Sequence, residues 1–168
     1  MVAIIFKSRH GATKKIASMI SHHLASCTLI ALEDVNLEEL EKFDTIICGI
    51  PVYNGMLDEE MTAFIKDHQD LLINKHYSIY VSAIFPSEFM HYLTDAFDYT
   101  ILKDVKTLAG LGGSLDFSKL SVSEKMKVAL MKKRRPLANV TEGSAYENFK
   151  EKKKKNFAYK VKRIDEAA

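Results

Sequence analysis

Tryptophan is absent from this chain of 168 residues, and cysteine and proline are scarce, at two and three. Cys27 and Cys48 are too few for a disulfide-dense scaffold, and their spacing matches no zinc or redox motif. They read as apolar fillers in a reducing, cytoplasmic setting, with no metal site. No apolar run approaches the ~20 residues of a membrane-spanning helix. The apolar opening from Met1 to Phe6 lacks the basic region and cleavage site of a signal peptide.

What is present fits an ordinary globular protein: 47% of residues are hydrophobic and 27% charged. The length suits one compact domain covering 1–168. A net charge of +2 argues for neither nucleic acid nor membrane, but its distribution is uneven. Met1 to Ser118 holds 9 basic against 16 acidic residues, whereas Lys119 to Arg163 holds 15 against 4.

Val2–Phe6 is a continuous apolar run, the pattern of a strand buried on both faces, and a polar loop containing Gly11 follows it. Ile16, Ile20 and Leu24 predict a helix over Thr13–Ala25. Further strands are predicted at Thr28–Ala31, Thr45–Ile50, His76–Ile84 and Val105–Leu115, the last loosened by Gly110, Gly112 and Gly113. Helices are predicted around Leu57, Met61, Phe64 and Ile65, and over Glu88–Phe97. Another opens at the capping box Ser121-Val122-Ser123-Glu124, with Val122, Met126, Ala129 and Leu130 as its apolar side and an end at Lys132–Pro136. A last helix is expected over Ser144–Ile164, packing through Phe149, Phe157, Val161 and Ile164. Within it Lys152–Lys155 surrounds one full turn, so at least one lysine should lie near the packed side and snorkel outward. Alternating strands and helices imply a parallel sheet covered on both faces.

In such sheets ligands bind beyond the carboxyl ends of the strands. After the first strand, Ser8-Arg9-His10-Gly11-Ala12-Thr13 offers hydroxyls, a glycine and a helix N-terminus, a recipe for phosphate, though an ordinary capped turn would look the same. A single glycine is too few for a dinucleotide fingerprint, and no Walker glycine-lysine pair is present. Lys7, Ser8 and Pro51 occupy places where a phosphoacceptor receiver would need acids. After the third strand come Pro51-Val52-Tyr53-Asn54-Gly55, and after the fourth Ser82-Ala83-Ile84-Phe85.

The first loop resembles the FMN-phosphate loop of flavodoxins through Ser8, Gly11 and Thr13, with His10 departing from the pattern. Within that superfamily, Ser8-Arg9, Gly11 and Thr13-Lys14 are similar to the loop of the quinone-dependent protoporphyrinogen dehydrogenases. The resemblance implies a flavodoxin-like three-layer α/β sandwich with a five-stranded parallel sheet, order 2-1-3-4-5. It implies FMN as cofactor, with the flavin ring between the second and third loops. Tyr53 is then the candidate stacking ring, or else an exposed turn tyrosine. Asn54-Gly55 is the candidate peptide beside flavin N5, glycine adopting positive φ freely. Phe85 either meets the dimethylbenzene edge or packs under the following helix. Arg9 either touches phosphate or faces solvent, and His10 either donates to phosphate or is a solvated loop histidine.

FMN chemistry requires no side-chain nucleophile, so no catalytic residue is assigned. The region at about 116–140 resembles the insert of the protoporphyrinogen dehydrogenases. Its helix is either a peripheral contact with the cytoplasmic membrane face through Lys119 to Arg135, or a sheet-packed helix with a solvated lysine face. The corresponding activity is oxidation of protoporphyrinogen, in heme biosynthesis, with a quinone as acceptor. An electron-transfer flavodoxin serving a redox partner and a flavin-less interaction domain are the alternatives. Nucleic acid is disfavoured because no aromatic-interleaved basic strand or DNA-binding motif accompanies the charge. Oligomeric state is not legible.

Overall fold

The computed structural model describes residues 1–116, 118, 120–131, 145–147 and 151–167. In chain order the elements are β1 (Val2–Phe6), α1 (Ala12–Ser21), β2 (Cys27–Ala31), a 3-10 turn at Leu32–Asp34, α2 (Leu37–Leu40) and β3 (Thr45–Tyr53). Next come β4 (Met56–Leu57), α3 (Glu59–Asp67), α4 (Gln69–Ile73), β5 (His76–Ser82), a 3-10 turn at Pro86–Glu88, α5 (Phe89–Ala96) and α6 (Tyr99–Leu102). The chain continues through β6 (Thr107–Gly110), β7 (Ser114–Asp116), α7 (Val122–Met131), β8 (Ala145–Glu147) and α8 (Glu151–Glu166).

The main sheet runs β2-β1-β3-β5-β6, all parallel, which is the 2-1-3-4-5 order expected once the short β4 is left uncounted. Alternation along β1 sorts its side chains to two faces. Ala3 and Ile5 join Ile46, Cys48 and Ile50 under Met61, Ile65, Leu72 and Leu93. Val2, Ile4 and Phe6 join Ile47 and Tyr80 under Ile16 and Ile20 of α1 and Phe157 and Val161 of α8. The result is the expected three-layer sandwich, its central strands buried on both sides.

Local chemistry moves several element boundaries. Helix α1 stops at Ser21, not Ala25, because His23 and Leu24 N–H groups bond to the carbonyls of Ile20 and Ser21, three residues back and each at 3.0 Å. Leu24 still packs against the core, from a turn. Leu57 belongs to β4, not to a helix; β3 runs to Tyr53 and doubles back, pairing Tyr53 with Met56 across Asn54 (φ 55°) and Gly55 (φ 81°). Positive φ at both central residues is the two-residue hairpin geometry that Asn-Gly favours. Helix α3 therefore starts only after Asp58, whose carboxylate accepts the Met61 N–H at 3.0 Å.

The predicted strand Val105–Leu115 is divided into β6 and the separate β7. At Gly110 a side chain would overlap the carbonyl of Pro86, so a close approach ends the strand there. Ala145–Glu147 is a strand, pairing antiparallel with β7, so the predicted helix does not include these residues, and α8 is described over Glu151–Glu166. The end of α7 at Lys132–Pro136 and the packing of Phe149 lie outside the described residues. Lys154 is the lysine on the packed side of α8, but it does not snorkel outward. It is 1% exposed, with Nζ 2.8 Å from Glu151 Oε1.

Cys48 is buried, and burial pushes its thiol up to about 12; Cys27 is only partly buried, its thiol raised to about 11 by burial and then by Asp165. Among the described residues no helix is long and apolar enough to cross a membrane.

Candidate functional site

The carboxyl ends of β1, β3 and β5 open into one cleft. The segment after β1 contributes Ser8, His10, Ala12 and Thr13; the β3–β4 hairpin contributes Pro51, Val52, Tyr53, Asn54 and Gly55; the segment after β5 contributes Ser82, Ala83, Ile84 and Phe85. Arg9 and Gly11 are not part of the lining.

The first segment is shaped by Gly11, which takes φ 90° as N-cap of α1 and provides no side-chain cap. The opening turn of α1 therefore presents its first N–H groups without an intrahelical partner, and no acidic residue lies in that turn. Ser8 Oγ accepts the Lys14 N–H at 3.3 Å, folding the loop back onto the helix. Thr13 is 1% exposed, and its carbonyl accepts the Tyr80 hydroxyl at 2.8 Å.

Tyr53 is half-buried, and burial raises its phenol above the ordinary value. Its hydroxyl accepts the Arg9 backbone N–H at 2.8 Å, and the Arg9 guanidinium lies 4.5 Å from the ring centre. Arg9 thus covers part of the tyrosine instead of pointing into the cleft. His10 meets the same ring edge-on, with centroids 6.0 Å apart. Phe85 is 7% exposed and lines the cleft.

Sequence reasoning missed the fourth wall. Gly113, Ser114, Leu120, Glu124, Lys127 and Val128 close the cleft from the segment after β6, and Tyr92 adds to it from α5. The capping box forms as expected: Glu124 Oε2 accepts the Ser121 N–H at 2.8 Å, and the Glu124 N–H reaches Ser121 Oγ at 3.3 Å. The helix is turned the other way from a sheet-packed amphipathic helix, however. Val122, Met126 and Leu130 are 77%, 67% and 81% exposed, while Glu124, Lys127 and Val128 face the cleft. Glu124 Oε1 lies 3.4 Å from both an Arg9 guanidinium nitrogen and His10 Nε2, which fixes this orientation. Its carboxyl is held down at about 2, first by the Ser121 backbone N–H, with the Ser121 hydroxyl and His10 adding to the effect. Periodicity located the apolar stripe of α7, but no sequence signal showed which side meets the cleft.

Residues 3–137 match the Flavodoxin domain family. No curated protein matches the sequence. Among solved structures, the chain is similar to the flavodoxin, WrbA-like protein from Agrobacterium tumefaciens, at 14% identity over 99% of this chain and 97% of that one, with a TM-score of 0.59. It is similar to the Streptococcus pneumonia TIGR4 flavodoxin at 22% identity, over 79% of this chain and 98% of that one, with a TM-score of 0.53. The rubredoxin oxygen:oxidoreductase from Desulfovibrio gigas matches at 12% identity and a TM-score of 0.58 over 99% of this chain, which spans only 36% of that longer protein. At these identities the likeness is one of fold.

Proposed function

The chain belongs to the Flavodoxin domain family, and from that membership we propose that it binds FMN and acts as an oxidoreductase. The observation that carries the reading is the convergence of the segments after β1, β3 and β5 on one cleft whose first wall is a helix N-terminus opened by Gly11. A helix start with no acid in its first turn and a glycine as N-cap suits a phosphate dianion. Ser8 and the backbone of Ala12 and Thr13 would hold that phosphate. Tyr53 and the Asn54-Gly55 turn would flank the flavin on one side, and Ser82 to Phe85 on the other. Bound FMN supplies the capacity to accept and pass on electrons, and the chain supplies binding, orientation and exclusion of water.

The finer reading is oxidation of protoporphyrinogen with a quinone as acceptor. Its support is the arginine-containing loop after β1 together with α7. The outward stripe of Val122, Met126 and Leu130 runs beside Lys125, and Lys132-Lys133-Arg134-Arg135 follow it in sequence. An apolar stripe bordered by cations suits peripheral contact with an anionic membrane, where a lipid-soluble quinone resides.

The first test is titration of the purified protein with FMN, riboflavin and FAD, followed by absorbance and flavin fluorescence. FMN is expected to bind far more tightly than riboflavin, and no FMN binding would overturn the reading. Porphyrin formation on addition of protoporphyrinogen and menaquinone to the FMN-loaded protein, with co-sedimentation on anionic vesicles, tests the finer one. FMN binding with reduction by a flavodoxin reductase but no porphyrin would instead mark an electron-transfer flavodoxin.

A further inference from the structure

Glu124 joins two parts of the molecule that the sheet itself does not connect. One carboxylate oxygen belongs to α7: Oε2 accepts the Ser121 N–H in the capping box. The other belongs to the loop after β1: Oε1 lies 3.4 Å from His10 Nε2 and 3.4 Å from an Arg9 guanidinium nitrogen. The Glu124 side chain is only 13% exposed, against 57% for Arg9. A shielded carboxylate is therefore held by two residues of the loop whose adjoining helix N-terminus attracts anions. It lines the same cleft as Ser8, Ala12 and Thr13.

We propose that Glu124 is an internal rival of the flavin phosphate: its carboxylate and the phosphate group compete for the Ser8–Thr13 loop, and Glu124 sets how strongly a phosphorylated flavin is preferred. The inference rests on the FMN reading above. A phosphate dianion at the start of α1 would share with the Glu124 carboxylate the cleft that Ala12, Thr13 and Glu124 line, and like charges in one cleft repel. Either Glu124 gives up His10 and Arg9 to the phosphate, which loosens α7, or the phosphate binds against the repulsion. Lys127, one turn along and on the same wall, carries the opposite charge. The conflict is thus confined to Glu124 and is not a property of the whole helix.

Glu124→Gln isolates the charge, because glutamine serves in a capping box as glutamate does. Ser121→Ala is the complementary variant: it weakens the cap and leaves the carboxylate in place. The full chain in all three forms is titrated with FMN and with riboflavin, and backbone hydrogen exchange of 122–131 is measured without flavin. For E124Q the expected result is FMN binding roughly three- to tenfold tighter, with riboflavin changed less than about twofold, and faster exchange over 122–131. For S121A the expected result is faster exchange with FMN affinity unchanged. Unchanged or weaker FMN binding by E124Q, while the wild type binds FMN, overturns the rivalry and leaves the FMN reading intact. Tightening of FMN by S121A to the same degree overturns it as well, since helix loosening would then be the cause. No FMN binding by any of the three overturns the inference and the FMN reading together.

Discussion

The Tyr80 hydroxyl, buried at the centre of β5, donates to the carbonyl oxygen of Thr13 at 2.8 Å. The bond ties the middle of the sheet to the first turn of α1, where the candidate phosphate loop ends. Gly49 makes the reach possible: it pairs with Tyr80 across β3 and β5, and any side chain there would overlap the tyrosine ring. Burial drives the Tyr80 phenol well above its ordinary value, which favours the protonated, donating form.

Tyr80→Phe keeps the ring and deletes the donor, leaving the Thr13 carbonyl without its buried partner. The expected loss is about 1–3 kcal/mol of unfolding free energy, read from urea denaturation. FMN affinity should also fall, because the first turn of α1 loses its strut. A variant as stable as wild type would show that the bond contributes nothing net.

Gly49→Ala should cost about 2–4 kcal/mol, since the new methyl group and the Tyr80 ring claim the same space in a close-packed layer. Placed on a Tyr80→Ala background, the same change should cost under about 1 kcal/mol. Equal costs on both backgrounds would mean that Tyr80 is not what excludes the methyl.

Acid should release α7 before it unfolds the sheet. The Glu124 carboxyl is held at about 2 in the fold against 4.5 ordinarily, so its contribution is complete above about 4.5 and is lost as pH falls toward 2. Hydrogen exchange over 122–131 should accelerate across that window, and E124Q, having no carboxyl to titrate, should lack the step. The same acceleration in E124Q would assign the transition to another group.

Gly55→Ala places a side chain at φ 81° and should cost about 1–2 kcal/mol through the strained turn. The hairpin shapes one wall of the cleft, so FMN affinity should fall alongside stability. Asn54→Gly, which relieves positive φ at the neighbouring position, should preserve both. Loss of FMN binding by Asn54→Gly at unchanged stability would point to the Asn54 side chain and away from the turn geometry.

The parallel sheet was legible in sequence because its signals are local. Val2–Phe6 has the continuous apolar pattern of a strand covered on both faces, Ile16 with Ile20 marks a helix that covers it, and the alternation of strands with helices makes the sheet parallel. The three segments of the cleft were legible for a related reason: position at the carboxyl end of a strand follows from element order alone. The Asn54-Gly55 hairpin had a clear two-residue signal that the apolar pattern around Leu57 and Met61 obscured. Ala145–Glu147 carried no such signal, because three residues form a strand only when β7 is there to pair with them.

The sequence by itself determined the parallel sheet covered on both faces, the capping box at Ser121, and the placement of Ser8 to Thr13 at a helix start. Each depends on residues close together along the chain or on the period of apolar side chains. Only the tertiary structure decided that Arg9 lies on Tyr53, that Lys154 is buried, and that α7 turns Glu124 toward the cleft and Val122, Met126 and Leu130 toward solvent. The last of these depends on charges more than a hundred positions apart, Arg9 and Glu124, meeting at 3.4 Å. A helix with an apolar stripe on one side and a partnered carboxylate on the other can dock through either, and the Arg9 and His10 side chains that face the carboxylate make the choice.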